Sequence, residues 1–529
     1  MEKSLKTRIF SVFSLIIALF LIVSSAFSIT AKAEDVAPKS ITVFSWEDYI
    51  YEEWFDGDKG ILEEFEEETG IAVNYVTFAT SEEMYNELQK DPTACDILCP
   101  SEYMILKMKD ENLLQEFDIP ETYKKNVSPF IQKQFEDLGL STKDKTYACG
   151  YMWGTMGLIY NAEKYSADDF NKWSNLLTND DFSGKITIKD SLRDTYIMAV
   201  AIVYEDELYA LKSCLEQGTK DGNPYAKADY KKDIDEIFNR RDPETIAKVE
   251  EKLLELKPRL YSFEVDAGKD DIITGKIDVN FAWSGDASYA ISEAEGKKEL
   301  GYAVPEEGTN IWFDGFVMTK SADVESSIEF LNFMSRPVNA AKNMEYIGYT
   351  SVISGEDNFT ITYPETDEDD NFIYVDGVLQ TYTVDYTGVF DWMNQYFEID
   401  SEDKTDKHAV DLSYFYSGEE NTHVVWVESY NDSFYAQFPT VDVIDRAVVM
   451  ANFSNDDLLN LNNMWSKVKL LTLSVTTIAI ILSIIGLTIV AIILYKFKDK
   501  IFEKAIPGTE RQIRRKNCKV IKIEEIKNH

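Results

Sequence analysis

The chain has 529 residues and carries 94 acidic against 53 basic side chains, a net charge of −41. That balance argues against a nucleic-acid partner, whose phosphates need a basic surface, and favours cations. With 45% hydrophobic and 13% aromatic residues, the chain can bury more than one lobe's core.

Residues 1–33 open with Lys3, Lys6 and Arg8, continue through the apolar run "IFSVFSLIIALFLIVSSAF" and reach "AKA" at 31–33. This is the pattern of a secretory signal peptide, with cleavage expected after Ala33. No Cys follows the run, so a lipid anchor is not available there.

From Ile41 short apolar strands alternate with amphipathic helices. "ITVFSW" is a strand, and "GILEEFEEETG" is a helix with Ile61, Leu62 and Phe65 on one side and Gly70 as its C-cap. "IAVNYVTF" is a strand, "SEEMYNELQ" a helix capped by Ser81, "CDILCPS" a strand and "EYMILKMKDENLL" a helix. Such alternation predicts a parallel sheet in an α/β lobe, with ligands beyond the carboxyl ends of the strands. Trp46 to Tyr49, and Ser101 with Tyr103, both follow strands and can face one crevice.

The Gly-punctuated run "YACGYMWGTMGLIYN" reads as a strand crossing into a second lobe. That lobe holds "FSGKITIKDSLRDTYIMAVAI", the helical "DPETIAKVEEKLLELKPRL" and "GKIDVNFAWSGDASYAI". "IWFDGFVMT" is a return strand, and "SSIEFLNFMSRPVNAAKNMEYIG" is two helices interrupted by Pro337. Residues 354–438 change character, with an acidic turn "PETDEDDNF" and Tyr-rich hairpin strands.

The uncharged run at 470–494 is long enough to span a bilayer. The segment after it, 495–529, carries eleven basic against five acidic residues, which places it in the cytoplasm and the acidic body outside. Cys95 and Cys99, four positions apart on one strand-like run, are too distant to bridge and read as small buried residues. Only three His, all late in the chain, argue against a metal centre.

"WEDY", "SEY", "WSGD" and "WFD" each put aromatic and polar or acidic residues at a strand end. The i, i+2 spacing of Trp312 and Asp314 sets both on one face of a strand. Any one ring taken alone reads as core. Asp48 also stands where it would cap a helix beginning near Tyr51. The recurrence favours one acidic, aromatic cleft.

The order of "FSWEDYI", "EEETGIAVNY", "CDILCPSEYMILKM", "GYMWGTMGLIYN", "DSLRDTYIMA", "NFAWSGDASYAI", "NIWFDGFVM" and "FLNFMSRPVNAAKNMEYIGYT" resembles the spermidine/putrescine-binding proteins, solute receptors of polyamine ABC transporters. The resemblance implies a two-lobed α/β fold of the periplasmic-binding-protein type II, closing by a hinge on a ligand in the interlobe cleft. It implies one lobe over 40–147 with 315–350 returning to it, a second over 148–314 with part of 436–465, and the 354–438 segment as an insertion. By resemblance Trp46 and Tyr49 stack on the ligand, Asp48 meets an ammonium, and Ser101 and Tyr103 add hydroxyls. Across the cleft it assigns Asp194, Trp283, Trp312, Tyr349 and the central acid Asp314, with Glu47, Ser191 and Asp286 as secondary candidates. The implied partners are a polyamine, a permease and an ATPase encoded elsewhere, and the membrane through the C-terminal helix; no cofactor is implied.

The sequence departs from the pattern at Ser191, where the family offers a carboxylate, and at Met450, where it offers a late polar residue. A shorter diamine, another amino-containing solute or a cationic peptide therefore stays open as ligand. A ligand-sensing surface protein is a further alternative. A glycoside hydrolase, which also pairs acids in an aromatic cleft, is disfavoured by motifs lying at both lobes.

Overall fold

The chain builds a mixed sheet, in which parallel pairs joined by helical crossovers stand beside antiparallel ones. The computed structural model describes residues 39–470, apart from 56, 295, 368–370, 400–403, 406 and 428–431, together with 488 and 495. The expected signal peptide, nearly all of the apolar run at 470–494 and the basic tail lie outside those residues. Among the described residues no helix is long and apolar enough to cross a membrane.

The sheet has eleven strands. In chain order they are β1 (Ser40–Trp46), β2 (Ala72–Phe78), β3 (Ile97–Leu98), β4 (Ala148–Asn161), β5 (Ile186–Lys189) and β6 (Leu260–Glu264). They continue with β7 (Val279–Trp283), β8 (Leu300–Ala303), β9 (Thr309–Met318), β10 (Thr350–Ser351) and β11 (Ala447–Val448). Their order is β6-β5-β7-β4-β9-β3-β1-β2, with β8 and β10 also on β4 and β11 on β9.

β1 pairs parallel with β2 and β3, as βαβ crossovers require. Between them run α1 (Ile61–Thr69) and α2 (Ser81–Lys90), and α3 (Glu102–Asp110) follows β3. α1 ends at Gly70, whose φ of 71° is the left-handed cap expected from the sequence. α2 is capped by the Thr80 side chain, one residue before the expected Ser81, which is already helical and buried.

β4 is fourteen residues long, and all of them are buried. Its first part pairs antiparallel with β9 and its last part with β7 and β8. One strand thus pairs along one part with β9 and along the other with β7 and β8. Where Phe313 to Gly315 of β9 face Trp153 to Gly150, two residues of β4 stand opposite the single Asp314. This is a bulge of β4 opposite Asp314, and a bridge from Asp314 to Ser101 links β9 to the loop after β3.

Three more helices place site residues: α4 (Leu192–Val203), α5 (Ser284–Ala294) and, after Pro337 breaks the chain, α7 (Pro337–Ile347), preceded by α6 (Val324–Met334). Beneath α5 an apolar cluster of Ile159, Ile272, Ile277 and Ala290 fixes the second half. The 354–438 segment forms small hairpins, Phe359–Pro364 with Thr381–Tyr386 and His408–Asp411 with Val424–Val427. It packs on the body by Phe415 stacking on Trp153 and by Ser433 meeting Ser288 of α5. The described residues up to Trp465 form one compact unit, which contains the sheet.

Candidate functional site

Asp314 sits on β9 opposite the bulge of β4 and is buried, 6% exposed. The Tyr49 hydroxyl donates to its Oδ2 and the Ser101 hydroxyl to its Oδ1, each at 2.7 Å. Tyr49 is held from behind by Tyr151, whose hydroxyl donates to the Tyr49 carbonyl at 2.7 Å and whose ring lies edge-on at 5.3 Å. Burial pushes the Asp314 carboxyl up to about 6, although the two hydroxyls pull it down, and Asp194 adds repulsion. Among the described residues Asp314 forms no salt bridge.

A ring wall surrounds this carboxylate. Tyr349 lies 5.8 Å from Tyr49 and 5.4 Å from Trp312, both edge-on, and the Tyr49 ring is 6.5 Å from Trp46. The expectation that Trp312 and Asp314 share a strand face therefore holds: both reach the Tyr49–Tyr349 pair.

The second half contributes from the ends of β5 and β7. Ser191 caps α4, its hydroxyl accepting the Asp194 N–H at 3.4 Å, so the position where the resemblance implies an acid serves the helix here. Asp194, in the first helical turn, is buried; burial pushes its carboxyl up, while Ser191, Lys189, Arg193 and a bond from Trp283 pull it down. Asp286 accepts the Tyr349 hydroxyl at 2.8 Å on one oxygen and Lys189 Nζ at 2.8 Å on the other.

The structure thus brings Tyr49, Ser101, Asp194, Trp283, Asp286, Trp312, Asp314 and Tyr349 into one neighbourhood spanning both halves of the sheet. Tyr103 joins it differently: its ring carries the Arg193 guanidinium at 3.5 Å, and its hydroxyl donates to Glu82 at 3.1 Å. Glu47 and Asp48 are not brought in. The chain turns at Asp48, φ 49°, and both carboxylates are exposed. Among the described residues no helix starts near Tyr51 for Asp48 to cap. The buried acid nearest Tyr49 is Asp314, not Asp48.

Sequence reasoning missed Lys189, Glu264, Glu102 and Tyr151. Glu102 carried a signal, lying between the two candidates Ser101 and Tyr103. It is 1% exposed and accepts the Phe313 N–H at 3.0 Å, which braces β9 beside Asp314. Burial pushes its carboxyl up to about 8; the Phe313 bond and Arg193 oppose this, and Asp314 adds to it.

The unfolded chain ionises Glu102 in the ordinary carboxylate range, whereas the fold keeps the proton to about pH 8. Stability therefore falls as pH rises across that window, by up to roughly 1.4 kcal/mol per unit. Glu102→Gln is expected to flatten this decline. Urea unfolding of both chains near pH 5 and near pH 8 checks it, and equal pH dependence in the two would exclude this role for Glu102.

The family described as bacterial extracellular solute-binding protein matches residues 60–367, more than half of the chain. The chain belongs to that family. Among relatives of this solute-binding protein, the spermidine/putrescine-binding periplasmic protein 1 of Haemophilus influenzae is 26% identical over 325 residues, 60% of this chain and 77% of its own. The spermidine/putrescine-binding periplasmic protein of Escherichia coli K12 is 25% identical over 324 residues, 60% of this chain and 78% of its own.

A solved structure described as a putative spermidine/putrescine ABC transporter from Listeria monocytogenes superposes with a TM-score of 0.53 at 23% identity. It covers 82% of this chain and 99% of its own. The likeness establishes a periplasmic-binding-protein-like α/β fold for this solute-binding protein. The family match ends inside the 354–438 segment.

Proposed function

We propose that this solute-binding protein is the extracytoplasmic substrate-binding component of an ABC importer for a polyamine. The observation that carries the reading is Asp314: a buried carboxylate, pushed up to about 6 by burial, without a salt bridge among the described residues and walled by Tyr49, Trp312 and Tyr349. A polyamine offers ammonium groups to carboxylates and methylenes to ring faces, with cation–π contacts of roughly 0.5–2 kcal/mol each. The names of the Haemophilus and Escherichia relatives support the same ligand class. The protein binds and releases its ligand unchanged, handing it to a permease and ATPase encoded separately.

In this reading the two halves of the sheet are lobes, one over 40–147 and 315–350 and the other over 148–314 with part of 436–465. Ligand contacts made only when the lobes close drive the closure. The apolar run at 470–494 and the basic residues after it tether the receptor to the membrane, with the acidic body outside. Residues 1–33 act as its export signal. The sequence supports both roles.

The test is isothermal titration of the full-length chain with putrescine, spermidine and spermine, with arginine and glycine betaine as controls. Saturable binding of a polyamine and none of the betaine is the expected result. No binding of any polyamine, with betaine or arginine bound instead, overturns the reading.

A further inference from the structure

Lys189 ends β5 and is wholly buried, 0% exposed, in a chain whose lysines otherwise lie mostly at the surface. An ammonium has three N–H donors. Here two are donated, to Asp286 Oδ2 and to the Val265 carbonyl, each at 2.8 Å, and Glu264 Oε1 lies 3.2 Å away as a second ion-pair partner. The Trp283 ring lies 4.1 Å away. Burial pushes the ammonium's pKa down, but the two carboxylates outweigh it and raise it, favouring the charged amine.

Two carboxylates, a carbonyl and an indole face are the groups that recognise an alkylammonium ligand. The protein has built such a site and filled it with its own side chain. This site is continuous with the one around Asp314. Asp286 receives the Tyr349 hydroxyl, and the Tyr349 ring touches Tyr49 and Trp312. Trp283 bonds to Asp194 as well as underlying Lys189.

The charges can be counted. Four buried carboxylates, Asp194, Glu264, Asp286 and Asp314, stand with two buried cations, Lys189 and Arg193. Glu102 keeps its proton at neutral pH and adds none. Two negative charges remain over the cluster as a whole, and within it Asp194 and Asp314 form no salt bridge among the described residues.

We propose that Lys189 is a tethered ammonium that permanently occupies one amine position of the ligand site, so that the receptor takes an α,ω-diamine and discriminates against triamines. The inference rests on the polyamine reading given above. A third ligand ammonium would have to displace Lys189 from its carboxylates or enter without a carboxylate of its own. Either leaves a buried charge unpaired.

The test uses the full-length chain, competing putrescine, spermidine and spermine against one another by titration. The wild-type chain is expected to bind putrescine at least about tenfold more tightly than spermidine. Lys189→Thr, which frees Asp286 and Glu264, is expected to move the spermidine-to-putrescine preference by at least about tenfold toward spermidine. A wild-type chain that binds spermidine as tightly as putrescine overturns the inference, whether or not the variant folds. So does a folded variant with an unchanged preference. Binding of no polyamine would instead sink the polyamine reading, and this inference with it.

Discussion

Asp314→Asn is expected to weaken diamine binding by roughly 30-fold to several thousand-fold, the equivalent of about 2–5 kcal/mol for removing one partner of a desolvated ion pair. The same variant should be no less stable than the parent without ligand. Asn keeps an oxygen to accept from Ser101 or Tyr49, and it removes a charge that the fold resists. The folded carboxyl holds its proton to about 6, above the ordinary Asp range, so the wild-type chain loses stability as pH rises through that window. The variant lacks this contribution and keeps only the decline that Glu102 causes.

Ligand binding runs the other way. It needs the ionised carboxylate, so wild-type affinity should fall as pH drops below about 6, approaching tenfold per unit, while the variant shows no such dependence. Titration from about pH 5 to about pH 8, alongside thermal unfolding, reads both. A variant that binds normally would remove Asp314 from the site.

Gly285→Ala is expected to destabilise the protein by roughly 1–3 kcal/mol through overpacking and to disable ligand capture. A Cβ there would lie 2.3 Å from Cγ and Cδ1 of Tyr349. The ring cannot retreat easily, because its hydroxyl is bonded to Asp286 and its edge-on neighbours are Tyr49 and Trp312. In a Tyr349→Ala background the added methyl has room, and the penalty should largely vanish. Denaturant unfolding of the four chains of this cycle measures the coupling. Additive losses would mean that the Gly285 backbone, and not the ring, sets the requirement.

Much of the cleft was legible because its parts sit at the ends of elements with strong patterns. β1, β3, β7 and β9 are apolar runs, and Trp46, Ser101, Trp283 and Asp314 break or follow them. Local spacing also identified Trp312 and Asp314 as co-facing. Asp48 misled because a left-handed turn residue sends its carboxylate into water, and nothing in "WEDY" announces the sign of φ. Lys189 was illegible for another reason. A lone lysine at a strand end reads as a solvated tip, and the groups that bury it lie 75 and 97 residues further along the chain. The 354–438 segment stood out by composition, but its seats on Trp153 and Ser288 depend on tertiary packing that composition does not encode.

The position of β9 bears on how the chain can be made. β3 ends at Leu98, and its neighbour on the open side is β9, which ends at Met318. At a synthesis rate of about 5–20 residues per second, the intervening chain of about 220 residues takes roughly 10–45 s to emerge. Throughout that interval β3 has an unpaired edge, and the Ser101 hydroxyl has no Asp314 to meet. Folding of the first half must therefore wait on late-arriving chain, as a topology rich in distant pairings dictates.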